Sequence, residues 1–351
     1  MRFIRRLKKF KSTNDFLSIF FFTSIVVGSF LNMLSNKTYQ YDSWTIGEWL
    51  INYQGGFVRR GLLGETIYFL SNSLKISPIF LIWFICIFSY FLLIKLIFNE
   101  AKNKVSKVFL LSPGVLLAPI IGDFLIRKDI LLMLIFLIIL KTCKHNNPNI
   151  LILNVLNILG ILIHESFAIY TFPIEIVILN IKPDLKSKNK IFFFNILPSL
   201  LVFTLCLIFK GDIDQAKAIH QSWTNISNLF PFETINSEVP LGAINAIGWE
   251  INNAIELMFI SLRNFENFVW VPLAWLLTVT FLAIFFLGDQ LGRDIKIKSF
   301  ILTVQFVPFS LLCFSGWDYG RWIFIWIFSS IIIYSLFGEE FNSLNFIKKK
   351  L

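Results

Sequence analysis

The chain alternates long apolar runs with short basic loops, and that alternation leaves few folds open to it. Runs such as Ser18–Leu31, Ile79–Phe98, Ile130–Leu140, Ile150–Ile163 and Ile191–Phe209 are apolar all round rather than along one stripe, as lipid-solvated helices are. Composition agrees: 56% of the 351 residues are hydrophobic, 41 are Phe and only 15% are charged. A water-soluble domain cannot hide that much apolar surface. The expected fold is all-α, a polytopic transmembrane helical bundle forming one integral membrane domain over residues 1–351.

A span needs roughly 20 apolar residues. The candidates are 15–33, 77–98, 107–123, 128–143, 149–164, 166–181, 191–210, 267–288, 299–316 and 321–338, about ten helices with both termini on one side. Lysine and arginine then orient the chain. The N-terminal segment, the loops around Lys102–Lys107, Lys141–Lys144, Lys182–Lys190 and Arg293–Lys298, and the C-terminal Lys348–Lys350 are all basic. The positive-inside rule makes these, and both termini, cytoplasmic. A single span over 149–181 would overshoot the hydrocarbon core and would send the Lys182–Lys190 cluster outside. A hairpin turning at His164-Glu165 is therefore expected. Two larger outer segments remain, about 34–76 and 211–266. Within them Gly61–Ser71 and Ile251–Arg263 are candidates for helices lying in the interface.

The formal charge of +10 resides mostly in these topogenic loops, so nucleic acid is not an expected partner. The basic start Met1–Lys11 lacks a following small-x-small cleavage site, which predicts an uncleaved first span. Cys86, Cys143, Cys206 and Cys313 are scattered with no CxxC. They read as small core residues rather than metal ligands or a disulfide framework.

The unusual charges fall on the outer side. Segment 41–61 holds Asp42 and Glu48, the Gly55-Gly56 pair, and Arg59-Arg60. Two guanidinium forks suit a diphosphate, and a carboxylate can take a sugar hydroxyl proton. A snorkelling interfacial loop with belt tryptophans is the bland alternative. Counting outward from Lys141 places Arg127, Lys128 and Asp129 at hydrocarbon depth, where charges line a cavity or pair with one another. His164-Glu165 offers acid/base chemistry or a satisfied core histidine. Glu175, nearer mid-span, is either a protonated, hydrogen-bonded group or part of the same cavity. Asp318 and Arg321 share a helical face framed by aromatics, which suits a carbohydrate site or a local Asp–Arg clip. No Walker loop, HExxH or GxSxG occurs, so ATP hydrolysis, zinc proteolysis and elbow-type hydrolysis find no support.

With Gly-Gly-Phe-Val-Arg-Arg-Gly closing the Trp49–Gly61 stretch, Arg127-Lys128-Asp129 opening a helix, His164-Glu165, and Asp318-Tyr-Gly-Arg321, the chain resembles Wzy-type O-antigen polymerases and EpsG-like proteins. More loosely it resembles GT-C glycosyltransferases. The resemblance implies a glycosyl-transferring enzyme of the bacterial cytoplasmic membrane that joins polyprenyl-diphosphate-linked oligosaccharide units on the outer face, without nucleotide sugar or ATP. Arg59, Arg60, Arg127, Lys128 and Arg321 would neutralise the departing diphosphate, with Asp129 and Asp318 in the same site. Asp42, Glu48, His164 or Glu165 would take the acceptor proton. No cofactor or metal is expected. Expected partners are the lipid-linked oligosaccharide, membrane lipids and a chain-length regulator. The rivals are a GT-C-type transferase of single sugars, a membrane acyltransferase, and a transporter or flippase.

Overall fold

The computed structural model describes residues 19–20, 22–28, 44–101, 104–105, 107–122, 124–145, 148–181, 189–229, 242–249, 252, 255–256, 259–260, 295–315 and 318–343. Asp42, Phe230, Phe232, the expected span 267–288, both termini and most of Ile251–Arg263 lie outside them. The described residues form helices and turns, with no strand among them. The elements are α1 (Trp44–Trp49), α2 (Gly61–Leu74), α3 (Pro78–Ala101), α4 (Lys107–Leu110), α5 (Ala118–Ile121), α6 (Asp129–Lys144), α7 (Ile150–Ile163), α8 (Ser166–Ile181), α9 (Asn189–Ile208), α10 (Ile213–Thr224), α11 (Gly242–Asn245), α12 (Ile295–Ser315) and α13 (Tyr319–Ser343).

Two helices, Pro78–Ala101 and Gly320–Phe341 within α13, are long and apolar enough to cross a membrane, or up to three if the bent pair α9–α10 counts as one span. The helices α7, α8 and α12 are apolar but shorter. At the centre stands α6, buried on nearly every face and packed against α3, α7, α8 and α13. By contrast α3 lines the edge, with Phe80, Phe84, Phe88 and Phe91 exposed along one side. That stripe recurs every three or four residues, the spacing of a single helical face.

The predicted hairpin at His164-Glu165 is real. Asn157 of α7 donates to Glu175 of α8 at 2.8 Å across 18 residues, whereas one continuous helix would hold them about 27 Å apart. The expected helix over 107–123 is not formed. Pro113-Gly114 and Pro119 break it into α4, a run of turns, and α5. The turn groups bond among themselves, as in Val115 N to Ser112 O and Leu116 N to Leu110 O, and Tyr90 Oη donates to Leu116 O at 2.5 Å. The irregular backbone here is buried by Leu110, Val115, Leu116 and Leu117, and its polar groups are satisfied by these turn bonds.

Charges sort to the two ends of this bundle. At one end Glu100 of α3 meets Lys141 of α6 at 2.8 Å, and Lys104 meets Glu339 of α13 at 3.3 Å. The opposite end carries the starts of α3, α6, α8 and α13 and the ends of α7 and α9, capped by a second apolar cluster from α1, α2 and α10. There α9 turns by 96° into α10, a helix within the segment 211–266 for which the sequence predicts a helix only at Ile251–Arg263. Asp212 caps its first turn by accepting from Gln215 N at 2.8 Å. Its Ala216, Ile219, His220 and Trp223 are buried at i, i+3, i+4 and i+7, one stripe facing inward.

The expected helix at Gly61–Ser71 appears as α2. Gly61, Gly64, Ile67 and Ser71 form its buried stripe, and the small residues let it touch the preceding chain. A Cβ on Gly64 would lie 1.9 Å from Ile51 O. Because that neighbour is backbone, it cannot swing away. We expect Gly64→Ala to destabilise the cap formed by α1, α2 and α10 by about 1–3 kcal/mol or more, read as a lower melting temperature of the purified protein. An unchanged melting point would show that α2 does not need this close approach.

Candidate functional site

The charged end of the bundle is built from four stretches far apart in sequence. The first is α1 and the loop after it. Trp49 Nε1 donates to Ile126 O at 2.5 Å, and Trp223 Nε1 donates to Leu50 O at 2.7 Å. Asn52 donates to Ser222 Oγ at 2.9 Å. These bonds pin α1 between α10 and the segment before α6, so Glu48 faces Arg127. Beyond them Gly56 adopts φ +103°, open to glycine at little cost. A Cβ on Gly55 would lie 2.9 Å from Gln215 O. The loop therefore passes tightly beneath α10, and Arg59 N donates to Phe209 O at 3.0 Å.

Arg60 ends this loop in the left-handed region, at φ +66°. For a side chain with a Cβ that conformation costs about 1–3 kcal/mol. What holds it is Glu165, on which Arg60 closes a fork at 2.8 Å from Nε and 2.5 Å from Nη2. Arg59 Nη1 reaches the same carboxylate at 3.2 Å. Glu48 meets Arg127 at 3.3 Å, His164 Nε2 at 3.2 Å and Arg60 at 3.8 Å. Asp129, 2% exposed, accepts from Arg321 Nε at 2.7 Å and Nη2 at 3.2 Å, and Arg321 Nη1 also holds Asp318 at 2.5 Å. Of the described residues that the sequence singles out, ten thus converge: Glu48, Arg59, Arg60, Arg127, Lys128, Asp129, His164, Glu165, Asp318 and Arg321; Asp42 lies outside the described residues.

Their roles are not equal. Lys128 is fully buried, and its ammonium donates to Arg60 O and Ile163 O, both at 3.2 Å. The second carbonyl belongs to the last turn of α7, where a cation is favoured. Lys128 is therefore a tie between loop and hairpin, not a free phosphate ligand. His164 is committed as well. Ser166 N can only donate, and it lies 3.2 Å from Nδ1. Nδ1 must accept, which leaves Nε2 to carry the ring proton toward Glu48.

Neighbouring cations favour the charged forms of Glu48, Glu165 and Asp318. Burial alone would raise Glu48, yet the His164 bond and the charges of Arg321 and Arg127 hold it well below the usual range. Burial would also raise Glu165, and the charges of Arg60 and Arg59 override it. Asp318 follows the same pattern, lowered by Arg321 and Arg127 against burial. Arg321 and Glu48 also act on each other through space, which joins the Asp129–Arg321 pair to the rest. Exposure is graded: Arg59 and Arg60 have side chains 29% and 26% exposed and Asp318 38%, whereas Glu48, Asp129 and Lys128 lie beneath.

Glu175 does not belong to this cluster; its bonded partner is Asn157, deep in the α7–α8 hairpin. Trp49 and Trp223, whose indoles fix α1, were legible only as interfacial aromatics. No group of three or more His, Cys, Asp or Glu residues arranged to hold a metal ion occurs among the described residues. The cysteines are free, with Cys86, Cys143 and Cys206 buried and Cys313 partly so. No family model, curated protein or solved structure matches this chain.

Proposed function

We propose that the chain is a bacterial surface-polysaccharide polymerase, of the O-antigen or capsule kind. It would be a multi-pass protein of the cytoplasmic membrane joining polyprenyl-diphosphate-linked oligosaccharide units at the outer face. The observation that supports this most is the convergence of four separate charged motifs at one end of an apolar bundle. As a purely structural device such a cluster is a poor choice. Exchanging a buried ion pair for apolar side chains of similar volume is often neutral or stabilising by about 1–4 kcal/mol. Ten ionisable side chains gathered there call for another reason, and an anionic substrate supplies one.

In this reading the resting site is closed on itself, with Glu165 seated between Arg59 and Arg60 where a phosphate would otherwise sit. The incoming diphosphate takes over the two most accessible guanidiniums. Released from them, Glu165 loses the charges that hold its proton affinity down and becomes the base. The acceptor hydroxyl oxygen bonds to the anomeric carbon, and its proton passes to Glu165. The bond from that carbon to the diphosphate oxygen breaks, and the electron pair leaves on the diphosphate, stabilised by Arg59 and Arg60. Arg321, Asp129 and Asp318 would shape the floor and side of the site.

A GT-C-type transferase is the rival reading, because Glu48 is an acid in the first outer segment. Its commitment to His164 and Arg127 makes it a weak base, which favours Glu165 and the polymerase. The test is purified protein in liposomes supplied with a lipid-diphosphate-linked repeat unit. A ladder of chain lengths is expected. A single added sugar would move the protein to the transferase reading, and no glycosyl transfer to any such acceptor would remove both.

A further inference from the structure

Glu175 forms no ion pair among the described residues; its bonded partner is a neutral amide. Glu175 is fully buried in α8, packed against the polar face that α7 turns inward. That face consists of Asn154 and Asn157, three residues apart and so on one side of the helix, with Ser199 of α9 bonded to Asn154 at 3.2 Å. Asn157 Nδ2 donates to Glu175 Oε2 at 2.8 Å. The other two oxygens of this pair, Glu175 Oε1 and Asn157 Oδ1, are buried and have no hydrogen-bond partner. Both are acceptors in the ionised form, so neither can satisfy the other. A single proton changes that: carried on Oε1, it donates to Asn157 Oδ1 and closes a two-point ring with the existing bond.

We propose that Glu175 is a buried proton site, held as a neutral acid in an acid–amide clasp with Asn157. An ionised carboxylate here would have one neutral amide to offset the loss of water, and burying an unpaired charge is far more costly than burying a bonded acid. The clasp joins the two arms of the hairpin without placing a net charge inside it. It stands ten residues along α8 from Glu165, about 15 Å below the ionic cluster, and it follows from the orphaned oxygens whatever the cluster does.

The experiment compares the full-length protein with Glu175→Gln and Glu175→Leu at neutral pH. Infrared spectra of the wild type should contain a carboxylic-acid carbonyl band that Glu175→Gln removes. Gln presents an N–H where the acid presents an O–H, so Glu175→Gln should melt with the wild type, whereas Glu175→Leu should melt roughly 2–4 °C lower. A wild-type spectrum without that band, or a glutamine variant as unstable as the leucine one, would overturn the proposal. Should Glu175→Gln fail to fold, wild-type protein carrying carboxyl-labelled glutamate decides it. A glutamic-acid band that moves with the label supports the clasp, and its absence ends it.

Discussion

Arg60→Ala should lower polymer formation by about 10²–10³-fold, the usual effect of removing one preorganised group from a developing anion. Arg60 is the strongest single hold on Glu165, through Nε and Nη2, and it is accessible enough to meet a substrate. On the proposed reading, removing it would delete a leaving-group cation and free the carboxylate before substrate arrives. Arg60→Lys should not rescue the loss, because an ammonium cannot reproduce the two-point fork. Arg59→Ala, which removes one bond rather than several, should reduce the rate less while leaving the fold intact. Lys217→Ala, on the exposed side of α10, is the control and should be inert. The measurement is the rate of ladder growth from lipid-linked repeat units. Full activity in folded Arg60→Ala protein would remove Arg60 and Glu165 from the chemistry.

The second large effect concerns Asp129 and Arg321, the most buried ion pair of the cluster, with side chains 2% and 8% exposed. Arg321→Ala leaves the buried Asp129 carboxylate without its cation, and Asp129→Ala leaves the guanidinium with Asp318 alone. Breaking one side of such a pair costs about 3–5 kcal/mol, enough to deplete folded protein in a chain of ordinary stability. The double substitution Asp129→Leu with Arg321→Leu strands no partner inside the pair, so it should recover most of that loss in a thermal melt. It should not recover polymerisation if the pair helps shape the site. Recovery of both stability and activity would reduce the pair to a structural clip. Single variants as stable as the wild type would show that Asp129 and Arg321 do not depend on each other.

Much of this site was legible in the chain. Charged residues beside apolar runs are conspicuous because water is absent from a bilayer core, and each such charge must find a partner. That reasoning picked out Arg127, Lys128, Asp129, His164 and Glu165, and it assigned the hairpin turn that the Asn157–Glu175 bond demonstrates. It misjudged 107–123, because hydropathy averages over a window and gives little weight to Pro113-Gly114 and Pro119, which break the backbone hydrogen-bond ladder there. It also passed over α10, whose burial lies along one narrow stripe in a polar segment. Lys128 is placed by the resemblance among the cations around a departing diphosphate. Its two carbonyl partners come from residues 68 and 35 positions away, and no local pattern announces them.

By itself the sequence determined the all-helical character, the sorting of basic loops, and which charged residues are too costly to be incidental. Those follow from local quantities: apolar length, backbone propensity and the free energy of taking an ion out of water. Only the tertiary structure decided which charge meets which. It gave Glu165 to Arg59 and Arg60, Asp129 to Arg321, and Glu48 to Arg127 and His164, and it set Glu175 apart with Asn157. Pairing of this kind depends on distances between residues 18 to 192 positions apart in the chain, and the packing of the elements that carry them fixes such distances.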